Sequence, residues 1–236
     1  MFQIEMADLV VRIENRFEYV RDLCRDYLTD PDRPADLTVS VSEAELRREE
    51  AKTPGIIFGD PYHEAVTAYK KISNALPAFD AFVMHSSAVA VDGNAYSFAA
   101  ESGTGKSTLT RRWKEVLGDR LTVINGDKPI YRFRGGRLLA YGTPWCGKEN
   151  WQDRTPAPLK ALCLLERAEE NAVFPVDPFS VLGELLHHFH LPGGGAVDMP
   201  GMMELIDRMV TQVPVYRLRC RNDLSAAETG IAYFGL

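Results

Sequence analysis

The sequence predicts an α/β fold, a mixed, twisted sheet flanked by helices, with a small α+β N-terminal portion over residues 1–80. Three observations predict it. A strand-like run, a glycine-rich turn and an amphipathic helical pattern follow one another between Ala95 and Leu117. Two stretches, 81–100 and 130–141, read as strand pairs joined by turns at Asp92-Gly93-Asn94 and Gly135-Gly136. Helical patterns at 199–213 and 225–234 supply layers to cover the sheet.

Bulk properties bound the partners. The 236 residues suit one large domain, or a domain with a small lobe. A net charge of −6 argues against nucleic acid or an anionic membrane as the main partner, because both need a basic surface. No apolar run approaches the roughly 20 residues that span a bilayer. The start, Met1-Phe2-Gln3-Ile4-Glu5, lacks the charged and apolar regions of a signal peptide. Cys24, Cys146, Cys163 and Cys220 are scattered and read as free thiols. The expectation is a cytoplasmic protein. Its oligomeric state is left open.

Within residues 1–80, Phe2–Glu5 and Leu9–Ile13 are expected as strands and Arg16–Leu28 as a helix. Leu37, Val39 and Val41 alternate with polar residues, so a half-buried strand is expected there. Ser42-Glu43-Ala44-Glu45 is a capping-box signature for a charged helix running to Lys52. Asp60-Pro61 reads as an N-cap and first helical residue, opening a helix with Tyr62, Val66, Tyr69, Ile72 and Leu76 inward. Residues 81–236 form the expected core domain. There Ala81–Val91 and Ala95–Ala100 read as a hairpin, and Leu121–Asn125 as a buried parallel strand. Leu159–Leu165, Ala172–Phe174 and Val215–Cys220 follow as strands, and Pro178–His190 as a helix. Pro192-Gly-Gly-Gly195 reads as a mobile loop and a candidate lid.

The chemistry concentrates in Ala100-Glu-Ser-Gly-Thr-Gly-Lys-Ser-Thr108. It fits the phosphate-binding pattern G-x-x-x-x-G-K-[ST] except that Ala100 stands at the first glycine. The candidate nucleotide-binding residues are Ser102, Gly103, Thr104, Gly105, Lys106, Ser107 and Thr108. Backbone N–H groups there can wrap a phosphate at a helix N-terminus. Lys106 can reach the β- and γ-phosphates of ATP, and the Ser107 hydroxyl can ligate Mg²⁺. Asp127 follows the next strand, where such proteins place a Mg²⁺-binding or basic carboxylate. Either hairpin register at 92–94 sets His85 beside the start of the phosphate loop, to contact phosphate, move a proton or tie down the loop. Gly142–Trp151 packs two glycines, a proline, two tryptophans and a lysine into ten residues, so Trp145 and Lys148 are candidate substrate-loop residues. Cys146 reads as a small filler. His187 and His190 are one helical turn apart, but a histidine-rich helix end also suits the dipole.

His85 opening a strand, the hairpin, Ser102-Gly103-Thr104-Gly105-Lys106-Ser107 and Gly126-Asp127 together resemble the catalytic domain of HPr kinase/phosphorylase. That fold is shared with the nucleotide-binding core of phosphoenolpyruvate carboxykinase. Gly142–Lys148 looks more like the compact HPr-kinase-related proteins. The resemblance covers about residues 81–236. It implies an ATP- and Mg²⁺-dependent kinase phosphorylating a serine hydroxyl on a protein, a peptide or free serine. Gly103 to Ser107 would hold the phosphates, and Ser107 and Asp127 the Mg²⁺. Asp127 or a neighbour would take the hydroxyl proton, with His85 supporting the phosphate end. Gly126 departs from the family, which has two adjacent acidic residues at this point. Two rival readings are a nucleotide-binding regulatory or peptide-recognition module without turnover, and a carboxykinase-like lyase.

Overall fold

Two sheets organise the chain. A computed structural model describes residues 1–52, 58–191, 199–221 and 223–236. The candidate lid at Pro192–Gly195 lies outside the described residues.

The smaller sheet has the order β1 (Phe2–Met6), β2 (Leu9–Glu14), β3 (Leu37–Ser40). Helix α1 covers only Glu18–Leu23, shorter than the apolar pattern suggests. The carboxylate of buried Glu64 accepts the N–H groups of Arg16 and Phe17 at 2.5 and 3.0 Å, which holds the chain extended up to the helix start. Helix α2 (Glu43–Glu50) begins with the expected capping box between Ser42 and Glu45. Helix α3 (Asp60–Ala75) is capped by Gly59 rather than Asp60. The Asp60 carboxylate instead meets Arg47 at 2.6 Å. The inward face of α3 also differs from expectation. Tyr62 is 41% exposed and stacks on Phe58, while His63, Ala65, Ala68, Tyr69 and Ile72 are buried.

The larger sheet is mixed and curled. Along it lie β4 (Ala81–Val83), β8 (Ile130–Arg134), β9 (Arg137–Tyr141), β10 (Ala157–Arg167), β6 (Asn94–Ala99), β5 (Ser86–Val91) and β7 (Leu121–Asn125). Strand β12 (Val215–Cys220) pairs with β10 and with β11 (Ala172–Pro175). The long β10 starts antiparallel to β9 and continues parallel to β6 and β12. The run expected as one strand over 81–91 is two. Met84 and His85 break it, because β4 pairs with β8 while β5 pairs with β6 and β7. Strand β7 is not hydrogen-bonded to a parallel neighbour; it pairs antiparallel with β5 at the end of the strand order.

Alternation along β6 fixes the two layers. Tyr96, Phe98 and Ala100 face helices α4 (Lys106–Leu117) and α7 (Leu224–Phe234), around the fully buried Trp113. Ala95 and Ala99 face the opposite layer, where Leu185, Phe189 and helix α6 (Met199–Gln212) pack. Val116, near the end of α4, is 40% exposed, while its neighbour Leu117 is buried. Only Leu182–Leu186 of the expected 178–190 helix forms a helix, α5; Phe179 is 61% exposed, so the apolar pattern there has no face to bury. The N-terminal sheet and α3 share a core with Ala81, Val83, Ile130 and Tyr141 of the larger sheet.

Candidate functional site

The turn between β6 and α4 is shaped by glycine. Gly103 and Gly105 take φ values of +82° and +125°, conformations that side chains resist. A Cβ at either position would stand in open space. Helix α4 begins at Lys106, so its free N–H groups and positive dipole end lie at Lys106 and Ser107. The Lys106 ammonium is mostly buried and donates to the Ala100 carbonyl at 2.7 Å. Burial pushes its pKa down, against the attraction of Asp127. A buried Ser87–Thr110 hydroxyl pair at 2.8 Å ties β5 to the first turns of the same helix.

Asp127 is presented by a side chain the sequence pattern did not flag. Asn125, fully buried at the end of β7, accepts the N–H groups of Asp127 and Lys128 at 2.9 and 2.7 Å. Its amide nitrogen donates to Thr143, on the far wall. This closes an Asx-type turn that aims residue 127 outward. His85 arrives from the break between β4 and β5, its N–H held by the His188 carbonyl at 2.6 Å. The neighbouring Ser86 N–H donates to the Asp127 carbonyl at 3.1 Å. His85 Nε2 thus lies 3.0 Å from Asp127 Oδ1, and Lys128 Nζ pairs with Oδ2. Burial alone would raise the Asp127 carboxyl. The His85 hydrogen bond and the Lys128 charge win, and hold it well below its ordinary value. Asp127 is therefore ionised at neutral pH.

The facing wall comes from residues 142–151. Gly126 packs so tightly there that an added Cβ would stand 2.8 Å from the Cys146 carbonyl. Position 126 therefore has no room for a side chain. Gly147, at φ +81°, would set a Cβ 3.1 Å from Asp127 Cβ. This close approach carries Lys148 and Glu149 into the cleft. Cys146 is buried, with its thiol 3.4 Å from Asn150 Oδ1 and its pKa raised by burial.

These parts enclose one cleft of about 550 Å³. Phosphate-loop residues Ser102, Gly103 and Gly105–Thr108 line it, with His85, Asp127 and Lys148 opposite. Thr104 lines other faces of the loop. Trp145 is not at the cleft: its ring packs on Tyr69 and its indole N–H donates to the Ala65 carbonyl at 3.2 Å. His187 and His190 part company. His190 bonds Asn74 at 3.1 Å and meets Tyr69 edge-on, while His187 lines a second cleft with Glu184 and Arg217. Sequence reasoning missed Glu149 and Arg111 in the main cleft; the Arg111 guanidinium lies 5.6 Å from the centre of the Trp151 ring. Arg111 follows Ser107 by four residues, one helical turn, and that spacing was the available signal.

Among the described residues no helix is long and apolar enough to cross a membrane. No family model matches the chain, and no curated protein matches it. Among solved structures, the chain is similar to the Hpr(Ser) kinase/phosphatase from Coxiella burnetii, at 9% identity and a TM-score of 0.37. The likeness covers 64% of this chain and 90% of that one.

Proposed function

We propose that this chain is an ATP- and Mg²⁺-dependent kinase that transfers a phosphoryl group to a serine hydroxyl of a protein, a peptide or free serine. One observation carries the reading: a single cleft is lined by the phosphate loop on one side and the His85–Asp127 pair on the other. The donor set fits the metal. Mg²⁺ usually takes one or two carboxylates, phosphate oxygens and waters, and the Ser107 hydroxyl and the ionised Asp127 line the same cleft. The bound cation would neutralise charge on the β- and γ-phosphates.

The chain's own groups would then act as follows. The N–H groups of the loop and of α4's first turn hold the phosphates. Lys106 leaves the Ala100 carbonyl for the phosphate oxygens. His85 orients Asp127, which takes the acceptor's hydroxyl proton. The acceptor oxygen bonds to the γ-phosphorus as the bond to the β–γ bridging oxygen breaks, and ADP leaves with that electron pair.

The test incubates the full chain with labelled ATP, Mg²⁺ and a panel of free serine, HPr and hydroxyl-bearing peptides. Transfer to one of them is expected, and Lys106→Ala should abolish it. That variant should also bind ATP roughly ten- to a hundredfold more weakly, since a charge-assisted hydrogen bond is worth about 1.5–3 kcal/mol. Unchanged binding in Lys106→Ala would sink the phosphate-loop assignment. ATP binding without transfer to any acceptor would favour the regulatory module.

A further inference from the structure

We infer that Arg167, outside the cleft, is a positioning residue that pre-sets the phosphate loop for the β-phosphate of a nucleotide. The inference rests on the nucleotide-binding reading of that loop, and adds a residue that no motif contains.

The register explains why this side chain is there. Strand β10 runs parallel to β6, with Leu164 opposite Ala99. Three residues further along each strand, Arg167 is level with Ser102, where β6 has already become the loop. The arginine therefore leaves the end of β10 alongside the loop's outer face. Its Nη2 donates to the Gly103 carbonyl at 2.5 Å and its Nε to the Thr104 carbonyl at 3.1 Å. One planar guanidinium grips two successive peptide units.

Peptide planarity carries this grip into the cleft. In a trans peptide the C=O of one residue and the N–H of the next point in opposite directions. Holding the Gly103 carbonyl outward turns the Thr104 N–H inward, where it closes a turn onto the Glu101 carbonyl at 3.2 Å. Holding the Thr104 carbonyl outward turns the Gly105 N–H inward. Gly105 lines the main cleft, and on the nucleotide-binding reading its N–H is one of those that would wrap the phosphate. The cation also polarises both peptide units, which strengthens these N–H groups as donors. Without the grip, only the Thr104–Glu101 turn bond would hold the first peptide plane, and the second, next to Gly105, would be free to rotate.

Arg167 is the arginine in this neighbourhood given over to the loop. Arg217 is held by Glu184 at 2.7 Å, Arg219 by Glu166 at 3.1 Å and Arg221 by Asp223 at 3.1 Å. The bonds of Arg167 go instead to loop carbonyls, in an exposed setting where its loss leaves no buried cavity.

The experiment measures ATP and ADP affinity by calorimetry in Mg²⁺ for the full-length wild type, Arg167→Ala, Arg167→Lys and Lys106→Ala. Melting temperatures are recorded alongside. Arg167→Ala should weaken ATP and ADP alike by about tenfold, as when a tenth of the loops are competent, with an unchanged melting temperature. Arg167→Lys should stay several-fold weak, because a point charge cannot hold two carbonyls. Wild-type affinity in Arg167→Ala overturns the inference. So does wild-type affinity in Arg167→Lys, since charge alone would then suffice, or a several-degree melting loss in Arg167→Ala, which marks a structural role. If the wild type binds neither nucleotide, or Lys106→Ala binds as tightly as it does, the phosphate-loop reading itself fails.

Discussion

The two walls of the cleft both depend on glycine, for opposite reasons. On the phosphate-loop wall, Gly103 and Gly105 have positive φ and open space around them. Glycine is there for its dihedral angles, and under the kinase reading the open space would take the nucleotide's phosphates. On the facing wall, Gly126 and Gly142 have no positive φ but no room either, and Gly147, which does have a positive φ, is crowded as well, with a Cβ position 3.1 Å from Asp127 Cβ. At the first two, glycine is there because backbone meets backbone. The first wall therefore takes its shape from backbone dihedrals at small cost to packing. The second is part of the protein's packing, and it holds Lys148 and Glu149 in place as a consequence.

The largest test of this contrast is on the packed wall. A Cβ at Gly142 would fall 2.1 Å from the Asp153 carbonyl and 2.8 Å from both the Ile124 carbonyl and the Tyr27 hydroxyl. Two of these three are backbone atoms that cannot swing aside. Gly142→Ala should cost about 3 kcal/mol or more, the top of the overpacking range, which is roughly 6–12 °C of melting temperature. Gly126→Ala, with one carbonyl at 2.8 Å, should cost less, about 1–3 kcal/mol. Calorimetric melting of both variants checks the order. If Gly126→Ala melts with the wild type, the facing wall is looser than described.

The open wall should answer in the other currency. Gly103→Ala meets no atom but must adopt φ +82°, so the cost to stability is about 1–2 kcal/mol. Relief of that strain would rotate the peptide that closes the loop, and nucleotide affinity should fall by roughly tenfold or more. Gly126→Ala should show the reverse profile, losing more stability than affinity. Equal profiles in the two variants would erase the distinction between the walls.

The same division explains what was legible in the sequence. A phosphate loop works through backbone N–H groups and glycine dihedrals, so a candidate for one is spelled in consecutive residues, and the positive φ values of Gly103 and Gly105 could be expected from the sequence. The capping box at Ser42–Glu45 and the hairpin turn are likewise local: the box formed as expected, and the hairpin took one of the two registers left open, with its turn at Asp92–Gly93. The His85–Asp127 contact needed the β5–β7 pairing, which local pattern does not specify. The break at Met84–His85 was hidden because both halves are apolar; what separates them is a change of partner strand. Asn125 looked like the tail of a strand, although its amide organises the turn that presents Asp127. Trp145 stood out by composition, but a buried aromatic and a substrate-facing one look alike in sequence.

The smallest expected effect concerns Asp127, which stands between the walls. Its folded pKa lies below its ordinary value of 3.8. A carboxyl depressed on folding contributes stability that is full above its unfolded pKa and is lost as pH falls through the folded one. The contribution is thus present at neutral pH and fades below about pH 4. Asp127→Asn removes this titration while keeping the shape of the side chain. The melting-temperature difference between wild type and variant should therefore narrow as pH drops from 6 towards 3 (roughly the span over which such a group protonates). Glu5, Glu45, Glu49 and Glu184 are also depressed, so the whole chain loses stability in acid and only the difference is diagnostic. A difference that stays constant with pH would mean that His85 and Lys128 do not hold the charged form. In that case the carboxylate facing the candidate phosphate loop would still be ionised at neutral pH, as any ordinary aspartate is, but the His85 and Lys128 contacts would not be what holds its charge in place for the kinase reading.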